Sequence, residues 1–143
     1  MRLLALAVSA ALVTGCAAPA FNGRDYELKA VDSADAVASA VATALLGVQA
    51  AEKHRTTEAY LSVLVGSAEK DALSVQGTFD STQPPRRSDA LRAELDTLLS
   101  DATSGLAELR ITVRRGELDQ LGPIAAKLRP TLNLLRRLAE DHR

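Results

Sequence analysis

The sequence predicts an all-α protein, an antiparallel up-down-up-down four-helix bundle that follows a cleaved signal peptide and a short tether. In four separate segments, apolar residues recur at intervals of three and four, which is the period of a helix with one buried face. The segments are joined by short connections, which place consecutive helices side by side and antiparallel. No segment shows the strict alternation of apolar and polar residues that indicates a half-buried strand.

Length and charge limit the chain to one nearly neutral domain. Removal of residues 1–15 from the 143 residues leaves 143 − 15 = 128, which is enough for one domain. Without Arg2, 16 basic residues face 18 acidic ones, so the chain lacks the basic footprint of a nucleic-acid-binding protein. A single cysteine excludes an internal disulfide.

The first fifteen residues have the order of a secretory signal peptide. Arg2 supplies a positive charge, residues 3–13 form an apolar run, and two small residues follow. This run is too short to span a membrane, since a spanning helix needs about 20 apolar residues. We therefore expect residues 1–15 to be a targeting segment that is removed from the mature protein.

The tetrapeptide Val13-Thr14-Gly15-Cys16 resembles the lipobox of bacterial lipoproteins. The resemblance implies that Cys16 is thioether-linked to diacylglycerol, that cleavage occurs before it, and that the new amino terminus is acylated as well. Leu followed by Ala or Ser is commoner in this motif than Val13-Thr14. Ala17 follows the cysteine, where Asp would resemble an inner-membrane retention signal. The implied location is therefore the periplasmic face of the outer membrane in a Gram-negative cell, and otherwise the outer face of the plasma membrane.

Acylation would make the lipid bilayer the first partner of this chain. Each buried methylene contributes about 0.8 kcal/mol, so two or three acyl chains anchor a protein stably. After the cysteine, residues 16–31 contain a proline, an Asn22-Gly23 turn signal and no helical period. They predict a flexible tether, and residues 32–143 predict the helical domain.

The first predicted helix begins with Asp32 or Ser33 as its N-cap. Residues 36–51 carry no charge, but they are too few for a membrane span and include polar Ser and Thr. They predict a buried bundle helix. Small residues at every fourth position favour close packing of the first helix against the third; these are Ala36, Ala40 and Ala44.

The second predicted helix runs to Phe79 after a basic break at residues 53–57. Because the break lacks Gly and Pro, one long helix through residues 33–79 is an alternative. The proline-rich residues 80–87 predict a loop, since a proline pair does not fit inside a helix.

The third predicted helix starts after a Ser88 cap and ends at Arg114-Arg115-Gly116, where cations precede a C′ glycine. The fourth predicted helix begins near Pro123 and contains Pro130, which predicts a kink.

Catalytic and metal-binding motifs are missing from the sequence, so we predict neither an enzyme nor a cofactor. The bundle would place His54 and His142 at opposite ends, which excludes a metal site shared by the two imidazoles. There is no G-x-S-x-G elbow and no glycine-rich phosphate loop.

The sequence therefore favours a non-catalytic interaction module, anchored in the cell envelope. Four basic residues would gather at the end of the bundle far from the anchor, and they are candidates for binding an envelope protein or an anionic polymer: Lys53, Arg55, Arg114 and Arg115. The alternative is a small-ligand sensor or carrier, since four-helix ligand-binding bundles of bacterial receptors have a similar outline. That likeness is one of architecture only, and an apolar pocket between the helices would distinguish the two.

Overall fold

A computed structural model describes residues 22–143, and these residues are almost entirely helical. The four α-helices are α1 (Gly23–Glu52), α2 (Glu58–Asp80), α3 (Asp89–Arg114) and α4 (Leu121–Asp141). A 3-10 turn, Leu118–Gln120, leads directly into α4. The predicted all-α class is confirmed.

The helices pack as a bundle in which each contacts its neighbours along the chain. α1 lies against α2 and α4, and α3 lies against the same two helices. Across the bundle, α1 and α3 also contact each other, whereas α2 and α4 do not approach as closely. This arrangement confirms the predicted four-helix bundle and the expected close approach of the first and third helices.

The start of α1 corrects the predicted extent of the tether. Asn22 caps the helix, because its side-chain oxygen accepts a hydrogen bond from the Asp25 backbone N–H at 2.8 Å. Tyr26 and Ala30 are then fully buried, with the Tyr26 ring 5.6 Å from that of Phe79. The prediction of a flexible segment up to residue 31 is therefore wrong for residues 23–31. The remainder of that segment, residues 16–21, lies outside the described residues.

The break between the first two helices is real, so the alternative of one long helix is excluded. α1 ends at Glu52, and Thr57 caps α2 by accepting a hydrogen bond from the Tyr60 backbone N–H at 3.2 Å. Between them His54 adopts a left-handed backbone conformation with φ of 54°. A left-handed residue reverses the chain after a helix without needing glycine or proline.

The ends of α3 and α4 follow the expected signals. Gly116 has φ of 70° just beyond α3, as a C′ glycine should. Pro123 is the third residue of α4, where its missing N–H has no intrahelical acceptor to lose. α4 continues through Pro130 as one helix.

The core is aliphatic and continuous along the bundle. Its large, fully buried side chains come from all four helices and include only two aromatic rings; they are Tyr26, Phe79, Leu61, Leu95, Leu99, Leu106, Leu109, Leu121, Leu135, Val37, Val41 and Val48. The alanine series of α1 is divided between core and surface. Ala44 is buried and Ala40 half-buried, but Ala36 is exposed, and Ala36 and Ala40 line a furrow beside α2.

Within residues 22–143, α1 alone has the length and hydropathy of a membrane-spanning segment. Its most apolar 18-residue window has a mean hydropathy of 1.4, and 44% of that window is buried inside the bundle. α1 packs on three other helices, in agreement with the prediction of a bundle helix.

Candidate functional site

The antiparallel topology brings the four predicted partner-binding residues to one end of the bundle, here called the distal end. Lys53 is the C-cap of α1 and Arg55 lies in the connection to α2. Arg114 ends α3 and Arg115 is its C-cap. All four residues are exposed. The sequence prediction that they share one end is consistent with this placement.

Two tight chain reversals fix the backbone at the distal end. After α1, the Arg55 backbone N–H donates to the Ala50 carbonyl at 2.8 Å. After α3, the Glu117 backbone N–H donates to the Thr112 carbonyl at 3.2 Å. These bonds run back across the last helical turn and satisfy carbonyls that the helix itself leaves without donors. The exposed cations are therefore carried on ordered backbone.

Carboxylates at the same end offset the positive charge. Four acidic residues accompany the four cations; they are Glu52, Glu58, Glu117 and Asp119. Two of these carboxylates lie close to glycines near the junction of α3 and α4. A carbon added at Gly116 would be 3.8 Å from an oxygen of Glu58, and one added at Gly122 would be 2.6 Å from an oxygen of Glu52. The distal end is thus a surface of mixed charge, not a basic patch.

A wide cleft lies between α3 and α4 near this end. It has a volume of about 620 Å³ and is bordered by Arg115, Glu117 and Lys127 together with apolar Ile111 and Ile124. On its wall Lys127 Nζ lies 4.0 Å from a carboxylate oxygen of Glu108. Charges of both signs around an apolar floor suit a ligand that carries both signs itself.

An ion pair between α2 and α3 was not anticipated from the sequence. Arg110 donates from Nε and Nη2 to the two carboxylate oxygens of Glu69, and Glu69 is only 8% exposed. This bidentate contact raises the pKa of Arg110 above its ordinary value. Arg110 thereby joins two helices instead of extending the cationic group at the end of α3. The available signal was the position of Glu69, four residues after buried Val65 and three before buried Ala72.

At the opposite end, called the proximal end, Arg92 ties the α2–α3 connection to α3. Its guanidinium donates to the backbone carbonyls of Thr82 and Asp80, each at 3.3 Å, and Nε lies 3.4 Å from Asp96. Behind it the Tyr26 hydroxyl is buried with no hydrogen-bond partner in the described residues. Burial raises the pKa of the Tyr26 phenol above its ordinary value.

The remaining predicted site residues are separated or lie outside the structure. His54 is at the distal end and His142 caps the far end of α4, so the two imidazoles do not meet. Among residues 22–143 no group of three His, Cys, Asp or Glu side chains is arranged to hold a metal ion. The predicted lipidation residue and its motif are not among the described residues; they are Cys16, Val13, Thr14 and Gly15.

Comparison with known proteins adds no further constraint on this arrangement. No protein-family model, no curated protein and no solved structure matches the chain.

Proposed function

We propose that the chain is a lipid-anchored, non-catalytic interaction module of the bacterial cell envelope. The observation that carries this proposal is the sequence Val13-Thr14-Gly15-Cys16 at the end of a signal peptide, with the only cysteine of the chain at its last position. Acyl chains on that cysteine would hold the folded domain at a membrane surface.

The early start of α1 supports a domain held close to its anchor. Six residues, 17–22, separate Cys16 from the first helical residue, Gly23. Even fully extended, this connection spans at most about 25 Å. The proximal end, with the exposed Arg86 and Arg87, would then face the bilayer, where cations are attracted to anionic headgroups.

The length of the bundle would carry the distal end away from the membrane. α1 has 30 residues, so it is about 45 Å long. The distal cations and carboxylates would be presented to a partner in the envelope, either a protein or an anionic polymer. Since the surface has mixed charge, a protein with complementary charges of both signs fits it better than a uniformly anionic polymer.

The anchor is tested by metabolic labelling with a palmitate analogue in a bacterial host. We expect the full chain to be labelled, and a Cys16→Ser variant to be unlabelled and to keep its signal peptide. A matched control, Cys16→Ser with Ala17→Cys, retains one thiol but moves it out of the motif, and we expect no label. Labelling of the control, or normal processing of Cys16→Ser, would contradict the anchor.

The interaction role is tested by cross-linking the full chain in intact cells. We expect a specific cross-linked partner that is lost when Arg55 and Arg115 are both changed to Glu. Replacing proximal Arg86 and Arg87 by Glu is the matched control and should leave the partner in place. Equal loss in both variants, or no specific partner at all, would count against a distal binding surface.

The cleft between α3 and α4 supports a second candidate, a small-ligand carrier or sensor. Its mixed charges fit a zwitterion, so free amino acids are the probes to use. We expect a bound amino acid to raise the melting temperature of the full chain, and Arg115→Ala to abolish that rise. A melting temperature that no amino acid changes would remove this candidate.

A further inference from the structure

The side of α1 that faces solvent lacks charge over most of its length. Residues 36–51 contain no Asp, Glu, Lys or Arg. Half of this stretch is core, but its outer side is exposed and forms what we call the neutral face: Ala36, Ser39, Thr43, Leu46 and Gln49. Leu46, near the distal half of that face, is 66% exposed. Ser39, Thr43 and Gln49 give this face the polar character that is usual on the outer side of a bundle helix, but charged residues are absent from it.

Two furrows of opposite charge border the neutral face. The furrow between α1 and α2 has a volume of about 250 Å³ and carries Asp71 on its outer wall. The furrow between α1 and α4 has a volume of about 220 Å³ and carries Arg129 and Arg136. Neither arginine takes part in an ion pair within residues 22–143. The neutral face is therefore bordered by an acidic edge and a basic edge.

We propose that the neutral face is the interface of a homodimer in which two α1 helices lie parallel, related by a two-fold axis along the bundle. This axis places the α4 edge of one copy against the α2 edge of the other. The furrow that Arg136 lines extends along α1 from Ala42 to Gln49, and the furrow that Asp71 lines extends from Ala36 to Thr43. The two furrows therefore overlap along the helix at Ala42 and Thr43, where Arg136 of one copy would approach Asp71 of the other. Each dimer would contain two such pairs, as an isologous interface requires.

An antiparallel dimer through the same face is disfavoured by charge. Its two-fold axis runs across the helices, so the α4 edge of one copy meets the α4 edge of the other. Arg136 would then oppose Arg136 of the second copy, and like charges brought together are unfavourable.

A membrane is a poorer occupant of this face than a second copy. Helices that lie in a membrane surface carry bulky apolar residues on one side and Lys or Arg on the other. The neutral face has a single large apolar side chain, Leu46, among small and polar residues. Small residues instead let a second helix approach closely, at the distances found in packed helix pairs.

The size of the face predicts a weak dimer. Residues 36–51 are about 24 Å long, and the helix with its two furrows is about 20 Å wide, which gives about 480 Å² per copy. A standard stable interface buries about 800 Å² per partner. An anchor that holds both copies in one membrane, with their N-termini on the same side, would favour the parallel arrangement by raising the local concentration. This last point alone rests on the proposed function.

Disulfide trapping of the full chain in mild detergent tests the arrangement. In a parallel dimer each residue near the axis meets its own counterpart, so Ser39→Cys and Leu46→Cys should each form cross-linked dimers on oxidation. Ser100→Cys, on the exposed side of α3, is the matched control for random collision. The unmodified chain measures any cross-linking through Cys16, which keeps this test independent of lipidation.

Exchange of the charges at Arg136 and Asp71 is the second test of the proposed dimer. Arg136→Asp and Asp71→Arg should each lower the cross-linked fraction of Leu46→Cys several-fold, and the two together should restore it. Cross-linking of Ser39→Cys and Leu46→Cys no greater than that of Ser100→Cys would overturn the proposal. So would cross-linking seen only in a mixture of the Ser39→Cys and Leu46→Cys chains, because that pattern indicates an antiparallel pair. Leu46-dependent sedimentation with phosphatidylcholine vesicles, without cross-linking, would assign the face to membrane contact instead.

Discussion

Tyr26 allows a quantitative test of whether α1 starts where the structure places it. The ring is fully buried and lies 5.6 Å from the ring of Phe79, so Tyr26→Ala removes a large side chain from a packed site. Replacing a buried aromatic residue by alanine lowers the free energy of unfolding by about 3–5 kcal/mol. We expect a loss of about 4 kcal/mol on that scale.

For Tyr26→Phe, which removes only the hydroxyl, we predict no loss in the free energy of unfolding. Because the hydroxyl is buried without a partner in the described residues, removing it relieves a desolvation penalty of about 1 kcal/mol or more while keeping the ring. Tyr26→Phe should therefore be as stable as the unmodified chain or more so. Urea unfolding followed by circular dichroism measures both variants under the same conditions.

The difference in stability between the unmodified chain and Tyr26→Phe should also depend on pH. Burial raises the pKa of the Tyr26 phenol above 10.0, its ordinary value. Above pH 10.0 the unfolded phenol loses its proton while the folded one keeps it, so the stability of the unmodified chain must fall as pH rises there. Tyr26→Phe should lack this part of the decline. A loss below about 1 kcal/mol for Tyr26→Ala, with no pH difference between the unmodified chain and Tyr26→Phe, would show that residues 23–31 are not packed.

Three further predictions concern the backbone and the buried ion pair. Gly66→Ala adds a methyl group to open space on α2 and should raise the free energy of unfolding by about 1 kcal/mol. Gly105→Ala instead brings its new carbon against the side chain of buried Leu128 on α4 and should lower the free energy of unfolding, as paired thermal melts of the two variants would show. His54→Gly relieves the left-handed backbone with φ of 54° and should stabilise the chain by about 1 kcal/mol; an unchanged or lower melting temperature would contradict the left-handed turn. Glu69→Leu alone should lower the free energy of unfolding more than Glu69→Leu combined with Arg110→Leu, because the single change leaves the partly buried Arg110 cation without its partner. A double-mutant cycle measures this coupling, and additive effects of the two changes would refute it.

The bundle itself could be predicted from the sequence because its signals are local and repeated. The apolar period of each helix, the proline-rich connection before Ser88 and the glycine after α3 each specify structure within a few residues. The break after α1 was harder, since it depends on His54 in a left-handed conformation that non-glycine residues seldom adopt. The basic residues that follow α1 and the threonines after them indicated the break, but one long helix through residues 33–79 remained an alternative.

The early start of α1, which was predicted wrongly, and the Arg110–Glu69 ion pair, which was not predicted, both depend on contacts with distant parts of the chain. Residues 23–31 have few strongly apolar positions, and they become helical because Tyr26 has a partner in Phe79, at the end of α2. Nothing in the local sequence separates Arg110 from Arg114 and Arg115, the cations at the end of α3. Its role comes from Glu69 on another helix, 41 residues away. A single sequence contains both residues of each pair but not their distance.

Residues 36–51 show that an uncharged stretch of sequence can have both a buried side and an exposed side. In the sequence, residues 36–51 are explained once they are assigned to the core, because a buried helix needs apolar residues. In the structure only one side of that stretch is core, and its outer side is neutral although burial does not require it. The outer sides of α2 and α4 are charged at comparable depth, with Lys70, Asp71, Arg136 and Arg137 exposed. Residues 59–68 of α2 are uncharged as well and expose Tyr60 and Val63. The uncharged surface therefore extends from α1 onto the distal part of α2, and the proposed parallel pairing depends on the charges at the edges of the neutral face, Asp71 and Arg136.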